Sequence, residues 1–246
     1  MDKWKTKIAV ITGASSGIGA AITLSLASHG LTVIGLARRS ENVEELSKKL
    51  ENSEGKIIAI KCDVADLNSI KNAFKEIEEN FGKVHILINN AGMSSKVTIL
   101  DESDYATERI NSTIDVNFKA YVHCVRECIK LMKKIENEHA MIINVGSILD
   151  SVIPYPHRTI YPTTKHAVRA LSEIIRQELI VSECDKIKVT NLSPGAVKTE
   201  IASEDYFNSI PHLTPNDIAE SVIYLLSTPW NVNVTQLTIK PVGEKF

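Results

Sequence analysis

The chain carries no surplus of charge: 28 Lys and Arg stand against 30 Asp and Glu, a formal net charge of −2. It therefore offers no electrostatic footprint for nucleic acid or for an anionic membrane surface, and neither is expected as a partner. Long apolar runs are missing too, and no stretch approaches the ~20 residues of a membrane span. "MDKWKTK" leads into a strand-like run and not into an apolar signal region. Cysteine is sparse, and Cys62, Cys124, Cys128 and Cys184 show no paired metal-ligand spacing. Cys124 and Cys128 lie four apart in a helical pattern, where core packing is the expected role. The seven histidines are scattered, so no metal is expected. A reduced, cytoplasmic compartment is the default. No repeat, linker or low-complexity tract divides the sequence. With 43% apolar residues in a chain of 246, one domain spanning 1–246 with a substantial core is expected.

What is present is alternation. Strand-like runs read at Ile8–Ile11, Thr32–Ala37, Lys56–Cys62, His85–Asn89, Ala140–Val145, Lys186–Leu192 and Thr235–Lys240. Helical patterns lie between them at Val43–Leu50, Ser69–Phe81, Asn117–Lys134, Pro162–Val181 and Pro215–Leu226, the last with Thr214 as N-cap and Pro215 at the first helical position. Such alternation specifies an α/β fold, a doubly wound parallel sheet of about seven strands with helices on both faces. In that architecture ligands bind beyond the carboxyl ends of the strands, near the point where strand order reverses. The residues there are polar, Gly or Pro: Arg38 and Arg39, Asp63-Val64, "NNAG" (Asn89–Gly92), Ser147 and "SPG" (Ser193–Gly195).

The first strand runs into "TGASSGIG" (Thr12–Gly19), and "AAITLSLASHG" follows with helical spacing and Gly30 as a stop. Strand, tight glycine turn and helix together aim backbone N–H groups at the positive end of a helix dipole, where a phosphate fits. Gly13, Ser15, Ser16, Gly17, Ile18 and Gly19 are the candidate binding residues; a glycine turn that merely links strand to helix is the alternative. An acidic residue about 20 positions after the glycines would favour NAD. Arg38 and Arg39 stand there instead, and two guanidinium groups suit a 2′-phosphate, so NADP(H) is expected over NAD(H). The alternative is a pair of solvated arginines. Asp63 is a candidate acceptor for an adenine amino group, with Val64 on the ring, or else a turn aspartate.

Tyr161 and Lys165 are four apart in an amphipathic helix, so phenol and ammonium share a face. A phenol titrates near ~10 unperturbed. A neighbouring ammonium stabilises phenolate and brings it into range for proton transfer at neutral pH. Ser147 is placed to hydrogen-bond a substrate oxygen. Pro162 puts Tyr161 at the very start of its helix, since proline is tolerated only in a first turn. Taken alone, a Tyr-x-x-x-Lys pattern is also common in helices with no such role.

Together "TGASSGIG", "NNAG", Asn117 in "DVNF", Ser147, "YPTTK" and "SPG" resemble the short-chain dehydrogenase/reductase family, in its single-domain branch, over nearly the whole chain. "VIGLARR", "KHAVRALSEIIRQEL" and "AESVIYLLSTPWNVNVTQLTIKP" look like the branch that contains insect farnesol dehydrogenases and vertebrate NADP-dependent 17β/3β-hydroxysteroid dehydrogenases. The resemblance implies Tyr161 as general acid/base, Lys165 as the group that lowers its pKa and holds the nicotinamide ribose, and Ser147 as the group that orients the substrate oxygen. It implies that Asn117 holds a water of a proton relay. Asn90 lines the ribose side, and Pro194, Gly195, Val197 and Thr199 flank the nicotinamide. The implied substrate is a small hydrophobic alcohol or carbonyl compound such as a terpenoid or steroid. A homodimer or homotetramer built on the two long helices is likewise implied. Residues 197–213 are expected as a lid, with Tyr206, Phe207, Ile210 and Leu213 over an apolar ligand or else merely anchoring a loop. Pro162 and the stretch Ser147–Ile160 depart from the family pattern, which leaves a catalytically impaired dinucleotide-binding protein as the second reading. An isomerase or lyase on the same scaffold is a third, which nothing in the sequence favours.

Overall fold

A computed structural model of the chain describes residues 1–50, 53–135, 138–152, 160–200 and 204–245. Seven short apolar segments form strands: β1 (Ile8–Thr12), β2 (Thr32–Ala37), β3 (Lys56–Lys61), β4 (Ile86–Asn89), β5 (Ala140–Val145), β6 (Ile187–Pro194) and β7 (Gln236–Ile239). They make one sheet in the order β3-β2-β1-β4-β5-β6-β7, with every neighbouring pair parallel. The order reverses between β1 and β4. The helices are α1 (Gly17–Ser28), α2 (Ser40–Ser47), α3 (Leu67–Phe81), α4 (Asp104–Ile114), α5 (Ala120–Met132), α6 (Ile160–Val181), α7 (Glu204–Asn208) and α8 (Pro215–Ser227).

Alternate residues of each strand face opposite ways, which produces two cores. Ala9, Ile11, Ile86, Ile88 and Ile143 pack with Ile22 and Leu26 of α1 and Val222 and Leu225 of α8. Val10, Ile34, Leu87 and Ile142 pack with Phe74 and Ile77 of α3, Cys124 and Cys128 of α5 and Leu179 of α6. Burial on both faces is why the central strands read as unbroken apolar runs. Cys124 and Cys128 are buried free thiols, as their spacing suggested. Burial pushes both thiols up, which leaves them inert at neutral pH. Toward the carboxyl ends the core turns polar at one level: Asn89, Asn144 and Asn191 are in register across β4, β5 and β6.

One long helix departs from expectation. The pattern Asn117–Lys134 begins well inside a longer element: α4 starts at Asp104, a π-helical turn occupies Asp115–Lys119, and α5 continues. Ser103 caps α4 by accepting from the Ala106 N–H at 3.1 Å, but α4 buries few residues, so its apolar signal is weak. The π-turn carries Asn117; such turns occur often at functional sites. At its other end, α6 starts at Ile160, two residues before the expected start. Pro162 fits there because first-turn residues donate no intrahelical bond.

Candidate active site

The carboxyl edge of the sheet opens into a cleft of about 1040 Å³. At one end lies the glycine turn, where Gly13, Ser15, Ser16, Gly17 and Ile18 form the wall. Gly13 has φ +69°, and a Cβ there would meet Ala91 Cα at 2.9 Å. Gly19 does not line the cleft; its role is close approach, since a Cβ would fall 2.2 Å from the Gly13 carbonyl oxygen and 2.5 Å from Asn90 Nδ2. Asn90 fastens this turn to β4. Its Nδ2 donates to the Thr12 carbonyl at 3.0 Å, while Thr12 Oγ1 accepts from the Asn90 and Ala91 N–H groups at 3.0 and 3.1 Å. The N-cap of α1, Ser16, makes no side-chain capping bond, and the first turn has no acidic residue. The first-turn N–H groups are thus left to an anion from outside the chain, so the donors present fit a dinucleotide's phosphates.

Arg38 and Arg39, both exposed, stand at the end of β2 on the cleft wall. Arg39 Nη2 is 3.3 Å from Glu200 Oε2, which also lines the cleft; no ion pair to Arg38 forms among the described residues. Asp63 and Val64 follow β3 on the same wall. Both readings of Asp63 find support: Oδ1 accepts the Ala65 N–H in a turn at 3.0 Å, and the residue still borders the cleft.

Ser147, Tyr161 and Lys165 line the same cleft. Ser147 ends the segment after β5, and its Oγ accepts the Leu149 N–H at 3.2 Å, leaving the hydroxyl proton to donate elsewhere. Tyr161 lies in the first turn of α6 and is half-buried. Lys165, one turn on, is 3% exposed. Its Nζ donates to the Val145 carbonyl at 2.8 Å and lies 5.7 Å from the Tyr161 ring centroid. Burial lowers its pKa to about 8, an effect the nearby charge of Asp150 opposes. The arrangement places an ammonium near a phenol, in a cleft that the Ser147 hydroxyl also lines.

Asn117 does not line the cleft. Its side chain is buried and committed: Oδ1 accepts from Met93 N–H at 2.9 Å, and Nδ2 donates to Met93 O at 2.9 Å and to Thr164 Oγ1 at 3.2 Å. Both Nδ2 protons are thus engaged, which leaves the second Oδ1 lone pair and the backbone for any water that Asn117 holds. Pro194, Gly195, Val197 and Thr199 line the cleft. A bridge from Val197 to Leu213 pins the base of the expected lid. Within that segment Phe207 is buried with its ring 5.7 Å from His212, and none of Phe207, Ile210 and Leu213 lines the cleft. Residues 201–203, 153–159 and the Tyr206 side chain lie outside the described residues, and with them part of the expected lid and most of the loop after Ser147.

Sequence reasoning missed several contributors. Arg109, Ser112 and Val116 line the cleft at helical spacing, a signal hidden with α4 itself. Glu200 was unread as the partner of Arg39. Tyr121 donates its buried hydroxyl to the same Val145 carbonyl at 3.0 Å that Lys165 uses.

The family model for short chain dehydrogenases matches residues 7–208. The chain is 43% identical to the farnesol dehydrogenase of Aedes aegypti, with the whole of both chains covered. It is 36% identical to dehydrogenase/reductase SDR family member 11 of Mus musculus, covering 99% of this chain and 97% of that one. Among solved structures, an alcohol dehydrogenase of Thermococcus sibiricus complexed with 5-hydroxy-NADP superposes with a TM-score of 0.84 at 28% identity, covering 98% and 99%.

Proposed function

The chain belongs to the short-chain dehydrogenase family, and on that footing we propose an NADP(H)-dependent oxidoreductase that interconverts a small hydrophobic alcohol and its carbonyl compound. A terpenoid alcohol such as farnesol is the substrate class that one relative's name favours, and a steroid is the class that the motif resemblance adds. The observation that carries the reading is one cleft lined both by the uncapped α1 turn and by Ser147, Tyr161 and Lys165. Bound there, the cofactor supplies the hydride exchange with the substrate carbon. Gly13 to Ile18 and the α1 N-terminus hold its phosphates, and Arg38, with Arg39 released from Glu200, takes the 2′-phosphate. Asp63 and Val64 receive the adenine, Asn90 and Lys165 the riboses, and Pro194, Gly195, Val197 and Thr199 the nicotinamide. Tyr161 gives a proton to the substrate oxygen in reduction and takes it in oxidation. Ser147 donates a hydrogen bond to that oxygen as charge builds on it. Lys165 keeps the Tyr161 phenol acidic, and Asn117 links Lys165 to water. Residues 197–213 serve as a cover over the substrate end. The apolar groove between α5 and α6, with Ile174 exposed beside it, is where a second copy would dock to form a dimer or tetramer.

The test is NADP+ reduction followed by absorbance, with NAD+ in parallel, over farnesol, steroid alcohols and simple secondary alcohols. The expected outcome is turnover with NADP+ over NAD+ for wild type. In Tyr161→Phe, turnover should fall by about three orders of magnitude with cofactor binding intact. Undiminished turnover in that variant overturns the assignment of Tyr161. Cofactor binding without turnover on any alcohol would favour the dinucleotide-binding reading instead.

A further inference from the structure

Next to this catalytic corner the fold buries a carboxylate that the mechanism does not use. Asp150 closes the single 3-10 turn Ile148–Asp150 that follows Ser147 and is 1% exposed. Its N–H donates to the Ser147 carbonyl at 2.9 Å. Its Oδ2 accepts from Asn191 Nδ2 at 2.8 Å and from Ser193 Oγ, both on β6 just before Pro194. Gly146 makes the room: a Cβ there would lie 2.7 Å from Asp150 Oδ2 and 2.9 Å from Asn191 Oδ1. Among the described residues no Lys, Arg or His pairs with this carboxylate, and Asp150 Oδ1 is buried with no hydrogen-bond partner.

A buried carboxylate with two neutral donors and no cation in contact is an expensive arrangement. A merely structural tie between turn and strand needs only neutral groups. The charge acquires a purpose if it acts on a cation beyond contact range. Lys165 is that cation, a buried ammonium held by a neutral carbonyl. Among the described residues, the groups facing it are Tyr121 from α5, with its ring centroid 5.4 Å from Nζ, Tyr161 from α6 and the Val145 carbonyl of β5. The next residue, Gly146, lies against Asp150 Oδ2, which brings the carboxyl group of the turn to the same corner. Burial holds the Tyr121 phenol neutral.

We propose that Asp150 is a positioning residue of the active site: it ties the Ser147 turn to the end of β6 and, by its charge, keeps Lys165 an ammonium. The consequence for turnover rests on the dehydrogenase reading above; the electrostatic effect on Lys165 does not. The direct test is ¹³C NMR of protein labelled at lysine Cε, with the Lys165 resonance assigned through Lys165→Arg. In wild type its titration midpoint is expected at about 8. Asp150→Asn should lower that midpoint by about one unit. Ser193→Ala removes a hydrogen bond to the carboxylate but keeps the charge, and should leave the midpoint in place. Asp150→Ser, neutral and smaller, serves in place of the amide if that variant does not fold.

Turnover supplies a second reading. The alkaline limb of kcat, where Lys165 loses its proton, should move to lower pH in Asp150→Asn by the same shift, with the KM for NADP(H) little changed. A Lys165 midpoint equal in wild type and Asp150→Asn overturns the inference, even if the variant is less stable. Absence of turnover in wild type on every substrate would defeat the dehydrogenase reading alone, because the NMR titration still decides the role of Asp150.

Discussion

The two edges of the sheet handle charge in opposite ways. At the amino edge, charges are closed on themselves. His85 is buried, its Nδ1 accepts the Ile8 N–H at 3.2 Å, and its Nε2–H donates to Glu138 at 2.9 Å. Lys7 and Lys83 complete the carboxylate's partners. The carbonyls that end α8 are likewise taken, by Trp4 Nε1 on Leu226 at 2.7 Å and by Lys3 and Lys188 on Thr228. At the carboxyl edge, groups of the same kind are left open: α1 starts with no side-chain cap, and Arg38 meets no acid among the described residues. Other helix starts differ. Asp66, Ser103 and Thr214 cap α3, α4 and α8, the last with a full capping box to Asp217, while α2, which follows the cleft-lining Arg39, shares with α1 the lack of a side-chain cap. One edge is built for stability and the other for a ligand.

That contrast breaks most sharply at Gly19. A methyl there would sit 2.2 Å from a backbone oxygen, so α1 must move away from β1. We expect Gly19→Ala to lose NADP(H) affinity by more than tenfold while the fold loses about 1–3 kcal/mol. Fluorescence titration with NADPH and thermal melts measure the two effects. Unaltered affinity would mean that the turn's geometry does not govern binding.

The fold was legible largely because a parallel sheet buried on both faces writes itself as short apolar runs separated by polar, Gly or Pro residues. The helix α4 was not, since it buries few residues and packs over the cleft; Ser103 as its cap was the available signal. At the site, local spacing revealed Tyr161 with Lys165 and the glycine turn. Contacts distant in sequence stayed hidden: Asp150 meets Asn191 and Ser193 some 40 residues on, and Tyr121 meets Lys165 at the Val145 carbonyl. Asn117 was legible by motif but not by task, because only the structure places its amide on Met93.

At the amino edge the separation should run the other way. Lys188 is 7% exposed, and its Nζ donates to Thr228 Oγ1 at 3.1 Å and to the Pro229 carbonyl at 2.6 Å, at the negative end of α8. Lys188→Met keeps the apolar stem and strips those carbonyls of a donor. The expected loss is about 1–3 kcal/mol, read as a lower Tm, with kcat and KM unchanged at temperatures where the variant is folded. A large fall in kcat at full folding would show that the two edges are coupled.

The smallest effect expected is at Glu138, and it carries a pH signature. Hydrogen bonds from Lys7 and His85 hold its carboxyl at about 2, below its usual range. A carboxylate depressed in the folded state contributes stability that is fully present above its unfolded pKa, near ~4.3. That contribution fades as pH falls toward about 2. The side chain is partly exposed, so solvent screening keeps the effect modest. Glu138→Gln should therefore melt a few degrees below wild type at pH 7, by about 1 kcal/mol or less. The gap should narrow steadily below pH 5, as wild type loses what the variant never had. His85, whose pKa burial lowers against the opposing pull of Glu138, resists protonation in the folded state, so wild type loses stability as pH drops through ~6.5 and Glu138→Gln, without that carboxylate, loses more. Melts of both proteins across that range separate the His85 loss, which widens the gap above pH 5, from the Glu138 loss, which narrows it below. A gap that stays constant down to the lowest pH would assign the loss to packing and remove charge closure from the account of this edge.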